Sequence, residues 1–505
     1  MLRHLLSMCG AAALLLAGPC AAAWQKIGSP HFVIYADGDP GTLREFASRL
    51  EKFDKAVRQV RAMPDPPLGD GNRLTIFVVP DVKSVQRLAV ATPGMTTNLA
   101  GFYKPKAEGS IAVVPERSGD SGKRQLDDQS TFFHEYAHHL MFGDTASPVP
   151  LWYAEGFAEF MSTATFARDG SVMLGRAATG RADGLTDKRT FPLGQMLGGK
   201  SENLSEAEWS QLYSRGWLLT HFLTFEPSRK GQLQTYLAAI AKGVDLTTAS
   251  AVFGDLAVLD RNLAGYATRN RLNAVRVAPE ALKIGAITVE PVSVGAAEVL
   301  PHRMRLETDV LTSEQAALLE DIRKAAARHP ADAFVQETLA AAELLLHHYA
   351  ASEVAADRAL AANPHSIQAM VYKGHAVLEQ AAQDEKGKTF ADARKWFQKA
   401  NLADPEDPEP LMNFHEASRR DSGRPSANAI AALHQASRLA PQDLGLSMQS
   451  AWQHLADGQL AEARRALVPI AFNPHAIGAS KKALAAIARI DAGDAKGAQN
   501  AMSGN

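Results

Sequence analysis

The sequence predicts an α+β domain followed by an all-α helical solenoid, on two observations. Strand-like segments crowd the first part of the chain and helices follow them. From about Leu311 the texture changes to short amphipathic helices, punctuated at near-regular intervals by dipeptides ending in proline. A chain of 505 residues is far larger than one hydrophobic core, so two or three domains are expected.

The first residues have the pattern of a targeting segment. Arg3 and His4 give a short positive start, an apolar run passes through Ala11, Leu14, Leu15 and Leu16, and Ala21, Ala22 and Ala23 are the small residues a signal peptidase requires. Residues 1–23 are therefore read as a signal peptide of an exported bacterial protein, periplasmic or secreted. A membrane anchor needs roughly 20 apolar residues, and this run is shorter and broken by Pro19. A lipoprotein reading through Cys20 is weaker, because Pro19 stands where a small residue normally does. Cys9 and Cys20 both lie inside the segment, so the mature chain would have no cysteine. That excludes disulfides, thiolate metal sites and a cysteine nucleophile, and leaves histidine and carboxylate to hold any metal. A net charge of −2 gives no reason to expect nucleic acid or an anionic membrane as partner. No later stretch is apolar enough to span a bilayer.

In order along the chain, residues 24–27 and 30–35 read as strands, the second by its alternation. Asp39 followed by Pro40 is an N-cap with proline at the first helical position, opening a helix to about Ala62. Residues 74–79 form a buried strand. Residues 101–103 and 111–114 flank a turn-rich 104–110 segment and predict a hairpin. Helices dominate from about Gln129. The first domain is placed at 24–285. A short β-rich stretch at 286–311 either closes it or acts as a linker.

Five dipeptides mark the remainder, 312–505: His329-Pro330, Asn363-Pro364, Asp404-Pro405, Ala440-Pro441 and Asn473-Pro474. Their spacing, with one longer interval, is close to the roughly 34 residues of a tetratricopeptide hairpin. Ala393, Phe397, Ala400 and Pro405 fit the second helix of that repeat, as do Ala429, Leu433, Ala436 and Pro441. Ile322 with Ala325, and Ala356 with Ala359, fit more loosely; the last unit is off by a residue. First-helix signatures are poor throughout. The repeat therefore speaks for architecture and names no ligand; a plain alanine-rich solenoid fits equally well.

The stretch that carries chemistry is Thr131-Phe-Phe-His-Glu-Tyr-Ala-His-His-Leu140. His134 and His138 are four apart, so on a helix both imidazoles project from one face and can meet one tetrahedral zinc ion. Glu135 follows the first ligand, where its carboxylate can take the proton of a zinc-activated water as that water attacks a carbonyl. Such a motif needs context. Gly143, Pro148 and Pro150 break the chain, and Leu151-Trp-Tyr-Ala-Glu-Gly-Phe-Ala-Glu-Phe160 starts a second helix. A helix–turn–helix of this length can return an acidic side chain to the two histidines, completing three ligands and leaving a fourth position open.

His134 and His138 followed by Trp152-Tyr-Ala-Glu-Gly-Phe-Ala158 resemble the gluzincin peptidases related to aminopeptidase N, and more closely the peptidase-MA-like exported bacterial proteins. The resemblance covers roughly 24–266 and not the repeats. It implies a gluzincin-like fold with Glu155 as the third zinc ligand; Glu159, one turn further on the same face, is the competitor. Leu212-Tyr-Ser-Arg-Gly-Trp217 is similar to the family's Tyr-x-Lys-Gly segment, which implies that Tyr213 donates a hydrogen bond to the developing oxyanion. The alternative is a core tyrosine at the start of an amphipathic helix. The family's aminopeptidases carry a glutamate on the preceding strand that holds the substrate amine. The corresponding 109–113 segment has no acidic residue, so an endopeptidase or another amidase is expected. That strand could still add an extended substrate at its edge.

Other residues have plainer readings. His139 is expected on the surface or behind the ligands, Asp144 in turn chemistry or supporting a ligand histidine, and His221 as a satisfied helix histidine. Asp127 and Asp128 are expected to cap the zinc helix. The functional expectation is an exported zinc peptidase acting on a peptide or protein, with a protein partner conceivable on the repeats. Its rivals are a zinc-binding adaptor without turnover and a purely structural repeat protein without metal.

Overall fold

The computed structural model describes residues 24–65, 69–89, 101–117, 130–144, 149–178, 185, 191–199, 204–384, 387–471 and 477–503. The signal-peptide reading of 1–23, the Asp127–Asp128 cap and the Asn473-Pro474 dipeptide lie outside them, as does the side chain of Asp144.

A six-stranded sheet organises the N-terminal lobe, in the order β4-β5-β3-β2-β1-β9. Its strands are β1 (Trp24–Gly28), β2 (Phe32–Asp37), β3 (Leu74–Asp81), β4 (Phe102–Lys104), β5 (Ile111–Arg117) and β9 (Thr288–Pro291). β2, β3 and β5 run parallel, whereas β1 and β9 at one end and β4 at the other are antiparallel to their neighbours. The parallel centre explains the unbroken apolar run of β3, since both of its faces are covered. Leu74, Ile76 and Val78 belong to the main core with α1 (Pro40–Arg61). Phe77 and Val79 pack on the other side against Val85 of α2 (Val82–Ala89) and against Leu300 and Met304. The predicted cap is present: the Asp39 carboxylate accepts from Thr42 N at 2.9 Å.

On the main-core face lie α3 (Ser130–Asp144) and α4 (Leu151–Ser162), followed by α5 (Leu193–Leu197), α6 (Glu206–Phe225), α7 (Gln232–Ala241), α8 (Leu246–Ala249) and α9 (Leu256–Ala267). A second sheet of β6 (Thr165–Phe166), β7 (Val172–Leu174) and β8 (Val275–Val277) sits among them. All twelve residues of α4 are buried, as an all-round apolar helix must be. α6 starts earlier than the sequence reading placed it, because Ser205 and Glu208 form a capping box. Tyr213 therefore stands two turns inside the helix.

α4 and α6 cross where each carries a glycine. A Cβ built on Gly156 would lie 2.3 Å from Gly216 O, and one on Gly216 would lie 2.6 Å from Trp152 O. The two backbones touch, and no larger residue fits either position.

The expected β-rich linker at 286–311 is divided differently. Only Thr288–Pro291 is strand, and it completes the sheet beside β1. Ser293 then caps α10 (Val294–Glu307), a helix in spite of Pro301. Helices follow to the end of the described chain: α11 (Thr312–Arg328), α12 (Ala333–Leu345), α13 (Tyr349–Ala362), α14 (Ile367–Ala382), α15 (Phe390–Ala403), α16 (Pro408–Ser422), α17 (Ala427–Leu439), α18 (Leu444–Ala456), α19 (Leu460–Ala471), α20 (Ile477–Asp491) and α21 (Ala495–Ser503). Each packs chiefly on its neighbours in sequence, which is the arrangement of a helical repeat array. His329-Pro330, Asn363-Pro364, Asp404-Pro405 and Ala440-Pro441 each fall just past the end of a helix, where proline cannot continue it.

The array folds back onto the sheet. Ala107, in the turn between β4 and β5, is buried among Leu433, Ala436, Ala440 and Leu446. Its amide donates to the Asp443 carboxylate at 2.9 Å, and Lys106 Nζ reaches Glu307 O at 2.7 Å.

Gly156→Ala should lower unfolding stability by about 1–3 kcal/mol, the usual cost of overpacking. Gly265→Ala, in α9 with nothing within 4 Å of the new methyl group, should be neutral or stabilising by about 0.5–1 kcal/mol. Denaturant midpoints of the two variants check this.

Candidate metal centre

α3 and α4 bring His134, His138 and Glu155 together. His134 Nε2 and His138 Nε2 are 3.2 Å apart, and Glu155 Oε2 lies 3.3 Å from the first and 3.4 Å from the second. Ligand atoms about 2.0–2.1 Å from a tetrahedral zinc stand about 3.3–3.4 Å from one another. The three atoms thus outline one face of such a tetrahedron, and the donor set fits the ion. Among the described residues only one other group of histidine and carboxylate atoms is as close, His31 with Asp54 and Asp65. There Arg58 and Lys55 already supply the positive charge, so it is an ion-pair network.

Glu155 is completely buried. Glu159 takes a different place: its Oε1 lies 3.1 Å from His134 Nδ1, on the far side of that ring from the shared centre. A carboxylate behind a ligand imidazole fixes its tautomer and orientation and raises its basicity. Burial pulls His134 towards neutrality, but the bonded Glu155 and Glu159 carboxylates and the nearby charge of Glu135 outweigh it and push the imidazole up to about 10. The same negative field favours a cation at the centre.

Glu135 is half-buried on the next position of α3. Tyr213 reaches the site from α6, with its ring 5.9 Å from that of His134 and 6.0 Å from Trp209. The glycine crossing of α4 and α6 is what allows this approach. Arg215, two residues on, turns away and bonds Phe191 O and the Asp260 carboxylate. His221 is buried and satisfied by Tyr266 Oη at 2.8 Å and Asn273 O at 3.0 Å, apart from the centre.

Three features escaped the sequence reading. His139, expected on the surface or behind the ligands, is half-buried, with its Nδ1 2.7 Å from Tyr103 Oη; burial, with the charges of Arg58 and His31, pushes its pKa down to about 4. Tyr103 lies on β4, so this bond ties the end strand of the sheet to α3, which carries His134 and His138. Tyr136 stacks on His139 with ring centroids 5.3 Å apart and donates to Asp54 Oδ1 at 2.9 Å. Asp54 is in turn held by Arg58 Nε at 2.8 Å, and His31 Nδ1 meets Glu51 Oε2 at 2.7 Å. This network anchors the back of α3 to α1. The third feature is the strand edge. β5 contains most of the 109–113 segment, and its residues 111–113 are paired on both sides, by β3 and β4. Within the described sheet that role falls to β4.

No protein-family model matches the chain, and no curated protein matches it. Among solved structures, one titled "MamA RS-1 ArsTM double mutant" aligns at 16% identity over 36% of this chain and 95% of its own, with a TM-score of 0.28. Yeast Tom70 aligns at 13% identity over 75% of this chain and 78% of its own, with a TM-score of 0.25. Likenesses this slight carry no weight for fold or function.

The geometry separates the two glutamates by experiment. Glu155→Gln should abolish tight zinc binding, while Glu159→Gln should keep the ligand set and weaken affinity about 10–100-fold. Competition against a chromogenic chelator checks both; an equal, complete loss in both variants would make Glu159 a ligand.

Proposed function

We propose that the chain is an exported zinc-dependent hydrolase of peptide bonds, with the zinc held by His134, His138 and Glu155. The observation that carries this reading is the spacing of the three donor atoms, which matches one face of a zinc tetrahedron, together with a carboxylate and a phenol at its rim. When bound, the zinc would supply Lewis acidity at an open fourth position. The remaining work falls to side chains of this protein. Glu135 takes a proton from the attacking water and passes it to the leaving nitrogen. Tyr213 donates a hydrogen bond to the oxyanion as charge develops there. Glu159 holds the His134 ring in place. An extended substrate would add along β4, where Tyr103 fixes the strand against α3. The 109–113 segment has no carboxylate to hold a free amine, which favours internal cleavage over removal of an N-terminal residue. Among the described residues no helix is long and apolar enough to cross a membrane.

A second reading is favoured by the array itself, which makes up a large part of the chain: a zinc-binding adaptor that acts through its repeats without turnover. The two readings part on one residue. Glu135→Ala, fully zinc-loaded, should hydrolyse a peptide library about 10²–10⁴-fold more slowly than the wild type. Tyr213→Phe should lose about 10²-fold or more in kcat with little change in zinc affinity. Equal hydrolysis by wild type and Glu135→Ala would leave the adaptor.

A further inference from the structure

The array contains a pocket of about 550 Å³ that is separate from the metal centre and lined by residues of α10, α12, α13, α14 and α16. That volume falls in the range of sites for small ligands or single side chains. Leu344 and Leu345 give it an apolar wall, Tyr349 and Tyr372 an aromatic one, and Glu307, Glu379 and Glu409 contribute carboxylates. No lysine or arginine lines it.

Two of these carboxylates have cations behind them. Glu307 is paired with Arg303 at 2.7 Å and Lys106 at 3.2 Å, and Glu379 is paired with Arg420. Glu409 differs. It is only 4% exposed, its side-chain partner is the neutral Gln368 amide at 3.3 Å, and among the described residues no cation lies within ion-pair distance. Instead burial, with the charges of Asp407, Glu108 and Glu307, drives its carboxyl well above the usual carboxylate range. A buried acid facing a cavity among like charges is costly for folding, and the hydrogen bond it accepts from Gln368 does not balance its charge. The group missing from this arrangement is a positive charge.

We propose that this pocket binds a cationic side chain of a polypeptide, lysine or arginine, with its aliphatic stem along Leu344, Leu345 and the tyrosine rings and its charged end at Glu409. Long basic side chains bury their stems while keeping the charge among polar partners, and the face of Tyr349 favours a cation, whereas that of Tyr372 already carries Arg303 with its guanidinium 5.8 Å from the ring centroid. A bare metal ion fits less well, since these carboxylates are not among the described groups whose ligand atoms converge. A cation at Glu409 favours its ionised form, so a proton held there is released to solvent on binding.

The test uses the full chain carrying Glu135→Ala, so that no probe is cleaved. The probes are a capped pentapeptide with a central arginine and its twin with citrulline, the neutral isostere. Titration calorimetry in two buffers of different ionisation enthalpy reads affinity and proton release together. The arginine peptide should bind with release of a proton, and the citrulline peptide at least about tenfold more weakly, the worth of one charge-assisted hydrogen bond. Glu409→Gln keeps the shape and removes the charge, so it should melt as the parent does, yet bind arginine about tenfold more weakly and without proton release. Equal binding of the two peptides would overturn the proposal. So would undiminished binding by Glu409→Gln, or no binding to the folded parent at millimolar peptide.

Discussion

The contact between Gly156 and Gly216 involves no side chain, yet the geometry of the metal centre depends on it. Two helices whose backbones touch lie closer than side-chain packing normally allows. That brings Tyr213 of α6 beside His134 of α3, across the helix that carries Glu155 and Glu159. With a larger residue at the crossing, α4 would stand off and its carboxylates would withdraw from the imidazoles. Gly156 follows Glu155 directly and Gly216 stands three residues after Tyr213, so each helix sets its functional residue and its point of closest approach within a single turn.

Around that crossing the centre is built in layers of charge. Two imidazole nitrogens and one carboxylate oxygen face inward; Glu159 stands behind one ring and Glu135 beside it. Further back, Tyr136 binds the helix to Asp54, where Arg58 balances the carboxylate. Buried carboxylates are expensive unless something positive meets them. On the α1 side the chain provides its own cations. At the centre the described residues set two imidazoles against the carboxylates of Glu155 and Glu159, a donor set of the kind that suits a divalent ion.

Much of this was legible in the sequence because the signals were local. Alternation marked β2, the Asp39-Pro40 pair marked the start of α1, and the four-residue spacing of His134 and His138 placed them on one helix face. The proline dipeptides marked helix ends in the array. What stayed hidden depends on residues distant in sequence. β7 and β8 are short strands that pair only after about a hundred residues have folded between them. β9 belongs to the sheet through β1, at the opposite end of the lobe, and the Val- and Pro-containing stretch after it looked like strand although Ser293 caps a helix there. Glu51 and Asp54 resemble surface charges on α1 until His31 and Tyr136 are found against them. The tie between His139 and Tyr103 joins two elements that share no pattern.

The turn between β4 and β5 is held from two sides: Ala107 and Lys106 are gripped by the array, while Tyr103, a few residues away, is bonded to the helix that bears the ligands. Mechanically, the repeats and the metal centre are therefore not beads on a string. Through this short turn the array has a direct physical path to Tyr103, and so to α3.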